Sequence, residues 1–273
     1  MRLNKFISDT GYCSRREADR LISEGRVSIN GHKPEFGTQA DEGDKILIDG
    51  QELRPRQKHG AHKHVYIALN KPVGITCTTE AEVKGNIIDF IGHQQRIFPI
   101  GRLDKDSEGL ILLTSNGDIV NEVLRAENNH EKEYLVGVNK PVTDEFLRGM
   151  ARGVRVHGQM TQPCRTRRIA KFGFSIILTQ GLNRQIRLMA EAFDYKVVQL
   201  RRVRIVNVKL GALKPGQWRN LGEPELRGLL PQRIFKRNYH GLADSIPVEE
   251  IAPEIKTVLD SILEVAKRAK PAV

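Results

Sequence analysis

Cysteine is scarce in this chain. Its 273 residues hold three, Cys13, Cys77 and Cys164. They stand far apart and show no paired metal-ligand spacing. That excludes a disulfide framework and a cysteine-based zinc site, and it points to reduced thiols in a cytoplasmic protein. Long apolar runs are also missing. None approaches the roughly 20 residues that span a bilayer, so no membrane helix is expected. The N-terminal stretch MRLNKFISDTG has no long apolar segment after its basic residues, so a secretory signal is not expected either. Acidic residues nearly vanish from residues 148–219, where sixteen Lys or Arg face only Glu191 and Asp194. That local excess is larger than the net charge of +11 for the whole chain, so the remainder is slightly acidic. A basic surface concentrated in one segment is the footprint of a nucleic-acid binder, whereas charge serving solubility would be spread evenly. No P-loop, G-x-G-x-x-G or G-x-S-x-G occurs, which argues against nucleotide cofactors and a serine triad.

What is present suits a soluble protein with a real core, at 39% hydrophobic and 28% charged residues. Two short helices open the chain. The first covers residues 2–9, with Leu3, Phe6 and Ile7 on one face. The second is capped by Ser14, with Glu17 three residues later as a capping box, and is ended by Gly25. Alternating strands at 26–30 and 45–49 follow. Residues 51–64 are polar and basic and read as a linker, whose His59, His62 and His64 have no carboxylate or cysteine nearby to complete a metal site. A second domain is expected from residue 65, with strands at 65–69, 75–79, 109–114, 130–138, 165–168, 172–180, 196–200 and 203–210. Helices are expected at 86–91, 118–125 and 141–150 and from Arg184 to about Phe193, with a short one at 224–230 and a longer one at 248–269.

The stretch Ile-Gly-Arg-Leu-Asp-Lys-Asp-Ser-Glu-Gly from Ile100 is a charged loop feeding an apolar strand. A loop held by a rigid core is where a reactive side chain is both fixed and reachable, although a solvated turn is the commoner fate of such a run. A second charged turn, Gly-Leu-Asn-Arg-Gln-Ile-Arg from Gly181, places Arg184 and Arg187 three residues apart, on neighbouring helical turns. Paired-carboxylate chemistry through Asp104 and Asp106 is not excluded. The remaining class is a single carboxylate partnered by an arginine that keeps it ionised and oriented.

The segments RLNKFIS, CSRREADRLI, GRVSINGH and GDKILIDG resemble the S4 RNA-binding domain. The resemblance implies that Arg2, Asn4, Lys5, Ser14, Arg15 and Arg16 face RNA, the last three at a helix N-terminus that suits a phosphate. LNKPVGITCTT, IGRLDKDSEGLILLT, NHEKEYLV, QGLNRQIRLM and VVQLRRVRI together resemble pseudouridine synthases of the RsuA/RluB/RluE/RluF family. The two resemblances cover about residues 1–222. They imply an α+β fold: a small S4-like αα-plus-β domain at 1–50, a linker at 51–64, and a larger domain at 65–222 built on a mixed, mainly antiparallel sheet with flanking helices. Residues 223–273 form an extension to which nothing carries over. The implied reaction converts uridine to pseudouridine in large-subunit (23S) ribosomal RNA, without cofactor or metal. Asp104 is then the essential aspartate, acting at the sugar C1′ or on the base. Tyr134 stacks on the target base and Arg187 pairs with Asp104. Arg102 contacts RNA or helps to extrude the base, Leu200 lines the base pocket and Arg184 adds an RNA contact. Transfer RNA is a second candidate substrate, and the protein is expected to be a monomer. The competing reading is an RNA-binding assembly factor that kept the fold and lost catalysis. The presence of Asp104, Tyr134 and Arg187 weighs against it.

Overall fold

The computed structural model describes residues 1–53, 64–117, 119–120, 123 and 130–230. It divides into two compact units, Met1–Lys63 and His64–Val273.

In the first unit, helices α1 (Leu3–Asp9) and α2 (Arg15–Ser23) pack on a small sheet of β1 (Val27–Ile29), β2 (Ile46–Ile48) and β3 (Gln51–Glu52). Leu3 and Ile7, one turn apart, meet Ala18, Leu21 and Ile22 of α2 and Val27, Ile46 and Ile48 of the sheet. Each such buried aliphatic side chain contributes about 1.5–3 kcal/mol. The Ser14 hydroxyl accepts the Glu17 amide at 3.1 Å, as a helix N-cap should. The expected capping box does not close, because the Glu17 carboxylate turns to Arg20 at 2.6 Å. Gln51 and Glu52, read from the sequence as the start of a linker, pair with Ile48 and Leu47. Residues 54–63 of that segment, including His59 and His62, lie outside the described residues.

The second unit is a nine-stranded sheet. Its strands are β4 (Tyr66–Lys71), β5 (Phe98–Ile100), β6 (Glu108–Thr114), β7 (Lys132–Val138), β10 (Arg165–Ala170), β11 (Gly173–Leu178), β12 (Val197–Ile205), β13 (Val208–Lys209) and β14 (Trp218–Asn220). The order is β10-β11-β7-β12-β6-β4-β14, with β13 beside β12 and β5 beside β6. Only the β12–β6 pair is parallel among the described strands, so the sheet is mixed and mainly antiparallel. A two-strand ribbon, β8 (Arg155–Val156) with β9 (Gln159–Met160), stands apart from it. Helices α3 (Ile87–Ile91), α4 (Asp144–Arg152), α5 (Gln185–Glu191) and α6 (Glu223–Leu229) complete the unit.

Both faces of the sheet are covered, which is why β4 and β6 carry the continuous apolar runs 66–69 and 110–113. On one face, Ile67, Leu69, Ile111 and Leu113 join Phe146, Leu147 and Met150 of α4 and Ile186 and Met189 of α5. On the other, Ala68, Leu110 and Leu112 join Val208, Leu210 and the α6 residues Leu226 and Leu229. Thr143 caps α4 through the Phe146 amide at 3.1 Å.

Two strand assignments change. Residues 75–79 form only a single bridge, Thr76 to Asn86, because the Ile75 carbonyl is taken by the Lys71 ammonium instead of a neighbouring strand. The separate strands expected at 196–200 and 203–210 are one long strand, β12, followed by a short return, β13. Register shifts at Val197/Gln199 and Arg202/Arg204 carry β12 through its basic run. The helix expected at 118–125 lies largely outside the described residues, although Ile119 and Val123 are buried in the second core. The helix expected at 248–269 lies wholly outside them.

Candidate active site

The charged loop leaves β5 at Ile100 and enters β6 at Glu108. Short-range bonds fix its shape. The Ser107 amide donates to the Asp104 carbonyl at 3.1 Å, and the Gly74 amide donates to the Lys105 carbonyl at 2.8 Å. The Leu103 amide donates to the Cys77 thiol at 3.4 Å. Leu103 is plugged into the core, and Ser107 is buried. Asp104 therefore sits on a turn pinned at both ends, with its side chain 31% exposed. Arg102 and Lys105 are exposed on the same loop.

Three cations are buried around this loop. Lys71, Arg187 and Arg202 are the charged residues classed as buried among the described ones. The Lys71 ammonium donates to the Pro72 and Ile75 carbonyls at 2.9 and 3.0 Å. Burial pulls its pKa below the usual lysine range, while the Cys77 thiol, Asp106, Asp104 and Glu108 pull it back. Arg187 donates to the carbonyls of Val197 at 3.1 Å and Asp106 at 3.0 Å, and to the Ser107 hydroxyl at 3.3 Å. Its pKa also falls through burial, against the attraction of Asp106. The Arg202 Nε donates to the Leu110 carbonyl at 2.7 Å. Burial pushes the Cys77 thiol up, and the Leu103 amide with the Lys71, Arg202 and Arg102 cations moderates the shift. Lys71 and Arg187 thus lie within electrostatic reach of the loop aspartates, a setting that suits an anionic substrate.

The expected Arg187–Asp104 pair is replaced by another. Arg187 reaches the Asp106 carboxylate at 3.3 Å. The cation nearest Asp104 is Arg184, at 3.9 Å, and Arg184 also meets Asp106 at 3.3 Å. The cause is the turn at 104–107, which hands Asp106 to the helix side of the loop. Arg184 is itself held in the left-handed region at φ 51°, as the residue that opens α5. A non-glycine residue kept there is overdetermined by its surroundings, a feature common at functional sites.

Tyr134 lies on β7, is 8% exposed, and shares a core cluster with Leu103, Ile186 and Leu200. The Arg202 guanidinium lies over its ring, 5.9 Å from the centroid. The structure therefore brings Arg184 to Asp104 and Asp106, Arg187 to Asp106, and Tyr134, Leu200 and Leu103 into one core cluster. Reasoning from sequence missed Arg202 and the burial of Lys71 and Cys77. Their only signal was an apolar strand interrupted by two adjacent arginines and a lysine at a strand end.

In the first unit Arg2, Arg15 and Arg16 are exposed. Asn4 is committed internally, donating to both Asp19 carboxylate oxygens at 2.9 and 3.0 Å. Lys5 pairs with Asp9 at 2.7 Å, and Ser14 is the helix cap. A surface cavity of about 610 Å³, lined in part by Arg148, Cys164 and Arg165, lies at the β10 edge of the sheet, four strands from β6.

The fold and this loop define a class. The family described as RNA pseudouridylate synthase matches residues 65–192, and the S4 domain family matches residues 1–46. The chain belongs to the S4-bearing RNA pseudouridine synthases, isomerases that act on uridine within RNA. It is 48% identical over 270 residues to the dual-specificity RNA pseudouridine synthase RluF of Escherichia coli K12, covering 99% of this chain and 90% of that protein. It is 33% identical over 237 residues to ribosomal large subunit pseudouridine synthase B of Bacillus subtilis 168, covering 84% of this chain and 95% of that one. A pseudouridylate synthase crystal structure superposes with a TM-score of 0.62 at 28% identity, covering 84% of this chain and all of the other. No described helix is long and apolar enough to cross a membrane.

Proposed function

We propose that the protein isomerises a specific uridine to pseudouridine in 23S ribosomal RNA, with Asp104 as the essential carboxylate. The observation that carries this reading is the placement of Asp104. It stands half-open on a pinned turn, 3.9 Å from Arg184, within electrostatic reach of the buried cations Lys71 and Arg187. In the reaction the N1–C1′ bond breaks and a C5–C1′ bond forms. The C5 proton leaves and N1 takes one up, so no oxidant or reductant enters. An ionised carboxylate beside C1′ supplies a nucleophile or stabilises the electron-poor sugar. Tyr134 stacks on the base and Leu200 closes the pocket beside it. Arg184 and Arg187 hold the carboxylate loop, Arg187 through Asp106 and the loop backbone. Arg102, exposed two residues before Asp104, meets the RNA.

A paired uridine must leave its helix first, at a cost of a few kcal/mol. Phosphate contacts from the basic 148–219 segment offset that cost. The S4 unit contributes further contacts through Arg2, Arg15 and Arg16. Choice of the 23S substrate is supported by the Bacillus subtilis relative, which bears a large-subunit name. The name "dual-specificity" on the RluF relatives supports testing a second RNA substrate, and transfer RNA is the candidate tested.

The test is pseudouridine mapping by mass spectrometry of 23S and transfer RNA from cells with and without the gene, complemented by wild type or Asp104→Asn. One site should disappear on deletion and return only with wild type. A site restored equally by Asp104→Asn removes Asp104 from the chemistry. An unchanged map removes the 23S assignment.

A further inference from the structure

Arg202 is 4% exposed, yet one nitrogen of its guanidinium, Nη2, has no hydrogen-bond partner among the described residues. A buried charge with an unused donor is costly, and an apolar side chain of similar length often serves a core better. Its surroundings indicate why an arginine stands there. In the sheet Arg202 is opposite Tyr134 on one side and Gly109 on the other. Its guanidinium covers the Tyr134 ring at 5.9 Å, and its Nε binds the Leu110 carbonyl of β6. A Cβ on Gly109 would sit 2.3 Å from the Arg202 carbonyl oxygen, so the two strands meet there without a side chain between them. One side chain thereby joins the strand that bears the stacking tyrosine to the strand fed by the Asp104 loop.

We propose that Arg202 is a positioning residue for the isomerisation. It backs the Tyr134 ring, leaving the opposite face for the target base, and fixes that ring relative to the Asp104 loop. This rests on the roles given above to Asp104 and Tyr134. Arg202 itself touches no phosphate and no reacting atom. Its effect therefore falls on the rate of the bound complex rather than on RNA affinity.

The experiment uses full-length protein and 23S ribosomal RNA transcribed with uridine tritiated at C5, since isomerisation releases that hydrogen. Single-turnover rate, RNA dissociation constant and melting temperature are measured for Arg202→Met, Arg202→Lys, Tyr134→Leu and the Arg202→Met/Tyr134→Leu double variant. Arg202→Met should slow tritium release by about 100-fold, the scale of a small misplacement of a reacting group. Its melting temperature should stay level or rise, and its RNA affinity should be unchanged. Arg202→Lys, which keeps a cation at the ring, should retain more of the rate. The double variant should be no slower than Tyr134→Leu. With the role of Tyr134 intact, any of four results overturns the proposal: a wild-type rate in Arg202→Met, a rate loss matched by a fall in melting temperature, weakened RNA binding, or additive losses in the double variant. Wild-type activity in Tyr134→Leu removes instead the role of Tyr134, and the proposal with it.

Discussion

Gly109 stands where β6 leaves the Asp104 loop, and replacing it with alanine tests whether the contact between β6 and β12 holds the site. Two costs combine. The backbone is at φ +102°, a region that an L side chain occupies at about 1–2 kcal/mol. The new Cβ would also lie 2.3 Å from the Arg202 carbonyl oxygen and 2.8 Å from its amide nitrogen. Those are backbone atoms of a central strand, which cannot swing aside as a side-chain tip can. Overpacking of this kind costs a further ~1–3 kcal/mol. Gly74→Ala is the matched control. Gly74 lies in the same unit, its amide binds the same loop, and its φ is +96°. A Cβ there would meet nothing within 4 Å, so it should lose only the backbone cost of about 1–2 kcal/mol. The single tryptophan, Trp218, is on β14 of this unit and packs edge-on against His93. Its fluorescence during urea unfolding therefore reports this unit without the S4 unit. With an m-value of roughly 2 kcal/mol/M, Gly109→Ala should lower the midpoint by about 0.5–1.5 M more than Gly74→Ala does. Equal midpoints for the two variants would refute the close approach of β6 and β12.

Arg187→Met removes three hydrogen bonds from a buried site. It should cost about 2–4 kcal/mol in the same urea assay, each bond counting roughly 0.5–1.5 and the half-exposed Asp106 regaining water. Tritium release should also collapse, so a variant of wild-type stability contradicts the tethering role. Burial lifts the Cys164 thiol from 9.0 to about 11. Between those values the folded chain keeps a proton that the unfolded chain has lost, so stability should fall as pH rises through the window. Cys164→Ala should flatten that slope in urea midpoints taken across it, and an identical slope in the variant speaks against the raised Cys164 thiol. Arg15 and Arg16 are exposed at the start of α2. Changing both to Gln should weaken RNA binding and reduce the slope of log affinity against log salt by roughly 1–2. An unaltered slope takes them off the phosphate backbone.

Local chemistry is what the sequence by itself determined. Ser14 and Thr143 were legible as caps because a hydroxyl three residues ahead of an amide needs no long-range partner. The apolar stretches at 65–69 and 110–113 announced strands, and the motifs around Asp104, Tyr134 and Arg187 announced the family. The basic segment at 148–219 announced a nucleic-acid surface through charge counting alone.

Tertiary structure decided what depends on distance through space. Whether Arg187 meets Asp104 or Asp106 rests on a turn of four residues and on the entry of α5, and no spacing rule contains that. The two strands expected at 196–210 merged into β12 because bulges let a basic run continue in the sheet. Asn4 resembled an RNA contact in the sequence, but Asp19, fifteen residues on, holds its amide. Nothing in the sequence marked Lys71 and Arg202 as buried, since lysine and arginine are rarely buried without a partner. Burial is a property of everything packed around a residue, and here it collects contributions from β4, β6, β7 and β12. The sequence could name a carboxylate and an aromatic for the chemistry, but only the assembled sheet could set buried cations near them.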